Sequence, residues 1–130
     1  MTEKSRKTVI KQVVTYIERH LDEPMDLKRV ARAAGYSAFH LNRMFAAETG
    51  CTIHRYICAR RLTAAAEKLV KTKLPIVQIS GEAGYASQQA FSAAFKKLYL
   101  CPPQAYRDRG IFVPGQSKAM PDNGREEMAA

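Results

Sequence analysis

The chain has 130 residues, 46% of them hydrophobic, which suits one globular body or two very small ones that share an element. Its 21 Lys/Arg against 12 Asp/Glu give a formal charge of +9, and its three cysteines show no CxxC or metal-finger spacing, which argues against a disulfide framework and a zinc site. No run approaches the ~20 apolar residues of a membrane span and the start leads into no apolar signal core, so a cytoplasmic location is expected.

The charge is unevenly spread. Residues 28–109 hold fourteen Lys/Arg against four Asp/Glu, while residues 1–27 balance at five each and residues 110–130 hold two against three. Such a basic region attracts polyanions, with DNA, RNA and anionic membrane as candidates.

In chain order, Ile10, Val13, Val14, Ile17 and Leu21 recur at helical spacing and predict an amphipathic helix over about residues 8–22, ended by Glu23-Pro24. Asp26 can cap a short second helix with Leu27, Val30, Ala31 and Ala34 inward and Lys28, Arg29 and Arg32 outward. Gly35 suits a tight turn, and a third helix over 38–48 closes at Thr49-Gly50. Thr52 can cap a helix of about 19 residues carrying Ile53, Tyr56, Ile57, Ala64, Ala65 and Leu69 on its apolar face, which at ~1.5 Å per residue makes a rod of ~28 Å. Pro75 suits the first position of a fifth helix with Ile76 and Ile79, where Gly81 costs about 1 kcal/mol relative to Ala. A sixth helix follows over about 88–98, and Pro102-Pro103 starts a last short one through Tyr106 and Arg107.

The third and sixth helices repeat one another. Ala34-Gly35-Tyr36-Ser37 and Ala83-Gly84-Tyr85-Ala86-Ser87 each set a small-Gly-aromatic turn before a Ser that can accept from free backbone N–H groups at a helix start. Four and eight residues after each Ser stand apolar pairs, Leu41/Phe45 and Phe91/Phe95, which superpose at an offset of 50. The other faces carry Phe39, Asn42 and Arg43 in one copy and Gln88, Gln89 and Ser92 in the other, and amide and guanidinium groups so placed suit base edges in a DNA major groove. One copy alone is matched equally well by an ordinary helical hairpin with a solvated face; two in register point to a pair of helix-turn-helix units.

The expected fold is therefore all-α, about seven helices, with a helix-turn-helix at about 26–48, a linking helix at about 52–71 and a second helix-turn-helix at about 75–98, making a domain of residues 1–109. Residues 110–130 offer little to bury and are expected to form a mobile tail. His20, His40 and His54 have no acidic or cysteine partner at triad or ligand spacing and no phosphate-cradling loop occurs, so no enzyme, cofactor or metal is expected. Cys58 on a helix and Cys51 and Cys101 beside turns read as structural thiols. A single-strand or RNA module would expose aromatic platforms, whereas most aromatics here fall at core spacing.

Leu27…Ala31…Ala34-Gly35-Tyr36-Ser37…His40-Leu41…Arg43…Phe45…Gly50…Tyr56-Ile57…Arg60-Arg61-Leu62, followed by Ile76…Ile79…Gly84-Tyr85…Phe91…Phe95-Lys96-Lys97…Pro103…Tyr106-Arg107, resembles the DNA-binding domain of the AraC/XylS regulators over about residues 8–109. Within that family it is most similar to the small MarA/SoxS/Rob group, whose short members lack an effector-binding domain. The resemblance implies a monomeric transcription activator of stress or drug-tolerance genes, with promoter DNA and RNA polymerase as partners and no small-molecule effector domain; a repressor or a general nucleic-acid module of the same fold is the alternative. By carry-over, Phe39, Asn42, Arg43, Gln88, Gln89, Ala90 and Ser92 would face bases, and Arg43 could grip guanine O6 and N7, with a phosphate contact as its alternative. Backbone phosphates would fall to Ser37, His40, Arg55, Arg60, Arg61, Ser87, Lys96, Lys97 and Arg107, although a solvated face explains each of the basic ones as well. Phe39 stands where the group commonly has Trp, Asn42 where it has Gln, Ser80 where it has Ala, and Ala93 where Arg is common, so the first half-site is expected to dominate specificity.

Overall fold

Helix ends in this chain are set by local hydrogen bonds that the sequence supplies. The structure, a computed structural model, describes residues 3–113, with side chains from Arg6 onward. Seven helices occur among the described residues: α1 (Glu3–Arg19), α2 (Leu27–Ala34), α3 (Ala38–Thr49), α4 (Ile53–Lys71), α5 (Ile76–Glu82), α6 (Gln88–Tyr99) and α7 (Pro103–Arg109). Asp26 caps α2 by accepting from Arg29 N, and Gly35 and Gly50 close α2 and α3 at φ 80° and 84°, a left-handed conformation that costs glycine nothing. Thr52 Oγ1 accepts from Arg55 N at 3.2 Å at the start of α4.

Two boundaries differ from the sequence expectation. Helix α1 ends at Arg19 rather than near residue 22, because the imidazole Nδ1 of His20 lies 2.7 Å from Tyr16 O, the carbonyl its own backbone N–H would use in a continuing helix, and that N–H turns to Ile17 O instead. Pro75 is the cap of α5 rather than its first residue.

Among the described residues the chain divides into two units, one up to residue 57 and one from residue 58 onward. In the first, Ile10, Val13 and Ile17 of α1, Val30 and Ala31 of α2, and Leu41, Met44 and Phe45 of α3 form a core closed by Cys51, Ile53 and Ile57. In the second, Leu62, Ala65, Ala66 and Leu69 of α4 meet Ile79, Ala83, Phe91, Phe95, Tyr99 and Tyr106. Phe45, Leu41, Phe91 and Phe95 are all fully buried, each removing apolar surface worth about 2 kcal/mol or more from water. Helix α4 thus serves both cores, and Ala59, Leu62, Thr63 and Ala66 are buried in addition to the single apolar face expected. Thr63 enters the second core paired, accepting from Tyr99 OH at 3.2 Å.

The units repeat in detail. Buried Val30 and Ala31 correspond to buried Ile79 and Ser80 at an offset of 49; after the extra Ala86 the offset is 50, so Leu41 and Phe45 answer to Phe91 and Phe95. The edge-on pairs Phe45–Tyr56 and Phe95–Tyr106 have the same centroid spacing, 5.4 Å, at 73° and 77°. Ser80 fills its Ala position by donating to Ile76 O at 2.8 Å, which satisfies its hydroxyl.

Past α7, Phe112 packs against the second core under Lys71, and Val113 N donates to Tyr106 OH at 3.1 Å. Phe112 and Val113, within the expected tail, are thus engaged with the second unit, and residues 114–130 lie outside the described residues.

Candidate nucleic-acid interface

The second helix of each helix-turn-helix is mounted the same way. Ser37 Oγ accepts from His40 N and Ser87 Oγ from Ala90 N, both at 3.1 Å, so each helix start has one orphan donor satisfied. Leu41 and Phe45 in α3, and Phe91 and Phe95 in α6, hold the inner faces, which leaves the outer faces to solvent.

On α3 the outer face presents Phe39, 72% exposed, with the guanidinium carbon of Arg43 5.6 Å from its ring centroid. The two sit four residues apart, one turn along the same face, so the ring gives the cation a platform. His40 is exposed, its ring 5.7 Å from that of Tyr36. Asn42 is placed differently from the expectation of a base reader: it is half-buried, and its Oδ1 accepts from Ile53 N at 3.0 Å.

On α6 the outer face presents Gln88, Gln89, Ala90, Lys96 and Lys97, all exposed, with Ser92 half-buried. The lysines fall in its last turn, where they also favour the negative end of the helix dipole. Exposed Ala93 offers no polar group.

Four basic residues of α4 and α7 are less available than their charge suggests. Arg55, Arg60 and Arg61 are half-buried. Arg61 runs past the turn at Gly84, its Nη1 only 3.0 Å from where a β-carbon on that glycine would sit. Arg107, expected at a phosphate, makes three hydrogen bonds within the protein: its Nε donates to Leu69 O at 2.9 Å and its Nη2 to Leu74 O at 2.7 Å and Thr72 O at 3.4 Å. It gathers the carbonyls at the end of α4 and in the link to α5, which a helix end leaves without partners.

Two further cations stand on the surface of α2. Lys28 and Arg32 are exposed one turn apart on α2, the helix before the first turn, where a helix-turn-helix lies along the phosphate backbone. Their i, i+4 spacing beside Ala34-Gly35 was a readable sign. Cys51 is buried, and burial pushes its thiol up, away from the reactive thiolate, while Cys58 and Cys101 are half-buried. Among the described residues no group of three or more His, Cys, Asp or Glu gathers as a metal site, and no helix is long and apolar enough to cross a membrane.

Two helix-turn-helix units, each with an exposed polar second helix on a basic chain, have the architecture of a duplex-DNA reader. The family profile described as a helix-turn-helix domain matches residues 30–109. The regulatory protein SoxS of Escherichia coli K12 is 39% identical over 105 residues, spanning 81% of this chain and 98% of SoxS. The right origin-binding protein of the same organism is 44% identical over 99 residues, 76% of this chain but 34% of that longer protein. A solved AraC-type transcriptional regulator from Chromobacterium violaceum superposes with a TM-score of 0.77 at 25% identity, covering 83% of this chain and 96% of that one. The chain belongs to the AraC-type helix-turn-helix family, and it is a DNA-binding transcription regulator rather than an enzyme.

Proposed function

We propose that this protein is a transcription activator that binds promoter DNA as a monomer, placing α3 and α6 in successive major grooves. The paired outer faces support this role: two helices mounted on capping serines, fifty residues apart, each offering side chains suited to base edges. In the first half-site Arg43 grips a guanine and Phe39 makes an apolar contact; in the second Gln88, Gln89, Ala90 and Ser92 face the bases. Ser37, His40, Ser87, Lys96 and Lys97, joined by Lys28 and Arg32, position the backbone, while Arg55, Arg60 and Arg61 contribute field more than contact. The B-DNA repeat of ~34–36 Å is the spacing that two recognition helices in successive grooves must meet, with some bending of the duplex. The family likeness extends this to stress or drug-tolerance genes, to RNA polymerase as partner, and to action in the cytoplasm on nucleoid DNA.

The test is selection of sites from random duplexes, then fluorescence anisotropy against scrambled DNA at several salt concentrations, with sedimentation for stoichiometry. A one-to-one complex is expected, in which Arg43→Ala loses roughly 1–3 kcal/mol of discrimination at one base pair. Lys96→Ala should weaken all sequences alike and reduce the salt slope by about one. Equal affinity for scrambled DNA would reduce the protein to a general nucleic-acid module, and reporter repression at the selected sites would make it a repressor.

A further inference from the structure

The two units meet one problem in two ways, and the difference assigns a role to Asn42. Helix α4 begins at Ile53, fully buried, whose backbone N–H is among the first N–H groups of a helix and so has no partner within it. A buried donor left without an acceptor costs more than an ordinary hydrogen bond contributes. Asn42 supplies the acceptor from α3, eleven residues earlier, at 3.0 Å. Thr52 has its hydroxyl engaged with Arg55 N, one turn on, and so serves a different donor.

At the matching place in the second unit, fifty residues on, helix α7 begins at Pro103, also buried. Proline has no N–H, so no donor is orphaned there and nothing is asked of Ser92, the residue that corresponds to Asn42. The recognition helix supplies an acceptor where the first residue of the next helix has a proton to offer.

We propose that Asn42 is a positioning residue, a strut that ties the recognition helix α3 to the first turn of α4, and that base reading on α3 rests with Phe39 and Arg43. Asn42 Oδ1 is the atom an asparagine would use, together with its amide N–H, to grip an adenine edge, and here it is committed inside the protein. The side chain holds α3 against the start of α4 without touching a base. Asn is the right length for this, since Gln would carry the oxygen one bond further than the gap to Ile53 N requires.

This assignment rests on the proposed DNA-reading role, but half of its test does not. Asn42→Ala and Asn42→Asp are compared with wild type in thermal unfolding without DNA and in binding to a selected site and its single-base-pair variants. Asp keeps an oxygen acceptor at the same reach, now charged and favourable at a helix start, but lacks the amide donor that adenine needs. The expected result is a melting temperature lowered by roughly 3–6 °C in Asn42→Ala and near wild type in Asn42→Asp. Both variants should keep the wild-type discrimination ratio at every base pair within about twofold, with Asn42→Asp weaker on all sequences alike because of its charge. The strut is overturned if Asn42→Ala melts like wild type, or if Asn42→Asp, folded and stable, loses discrimination about tenfold at one base pair. If wild type itself prefers no sequence, the DNA-reading role falls, and the melting comparison alone upholds or overturns the strut.

Discussion

Leu100 closes α6 in the left-handed conformation with which Gly50 closes α3 fifty residues earlier, at φ 64° against 84°. Leu100 is the one described non-glycine residue at positive φ, and its side chain is 83% exposed, so it gains little from burial in return for the strain. A left-handed residue with a β-carbon costs roughly 1–2 kcal/mol. Leu100→Gly is therefore expected to stabilise the protein by about 1 kcal/mol, after allowing for the looser unfolded chain. Urea unfolding checks it: the midpoint should rise at unchanged slope.

Gly81 and Gly84 should respond in opposite directions to the same substitution. Gly81 lies within α5, exposed, with nothing within 4 Å of an added β-carbon. Gly81→Ala should raise stability by about 0.4–1 kcal/mol, through helix propensity and a stiffer unfolded chain. Gly84 sits at φ 91°, and Gly84→Ala should lower stability by about 1 kcal/mol through backbone strain. The movable end of Arg61, 3.0 Å from the new carbon, adds less. Thermal unfolding of the two variants should bracket wild type.

Arg107 should behave as a structural residue. Three N–H···O=C contacts from one guanidinium hold the end of α4 and the link to α5. Arg107→Ala should cost about 2 kcal/mol, and Arg107→Lys should recover little, because a compact ammonium cannot span the carbonyls as the planar fork does. The salt dependence of DNA binding should keep its wild-type slope in folded Arg107→Ala; a slope reduced by about one would instead mark a phosphate contact.

Tyr85 gives the protein an alkaline limit. Burial, with Cys58 nearby, pushes its phenol up to about 12 from an ordinary 10, and burial raises Tyr99 in the same direction. A folded-state pKa above the unfolded one contributes stability that is complete below pH ~10 and is lost as pH rises through about 12, because the unfolded chain releases the proton first. Denaturant midpoints should fall between those values, and Tyr85→Phe should flatten that fall relative to wild type while leaving the neutral-pH dependence as it was.

Most of the helices could be read from the chain because their causes are local. Asp26 bonds to a donor three residues on, Ser37 and Ser87 do the same, and the apolar residues of α1, α2, α3 and α6 recur at helical spacing that burial then honours. The outer faces of α3 and α6 were readable for the same reason: once Leu41/Phe45 and Phe91/Phe95 are inside, Phe39, Arg43, Gln88 and Gln89 are outside. The extra burial on α4 was not, since a helix that serves two cores shows no single stripe.

What the sequence by itself determined, then, is the set of helices, their caps, the duplication and the cationic, polar surface. What only the tertiary structure decided is which polar side chains are already engaged: Asn42 with Ile53 across eleven residues, Tyr99 with Thr63 across thirty-six, and Arg107 with Leu69 across thirty-eight. Spacing along a chain carries no sign of such pairs. They arise because buried or helix-end N–H and C=O groups must find partners, and the partner is whichever side chain the folded packing brings within about 3 Å.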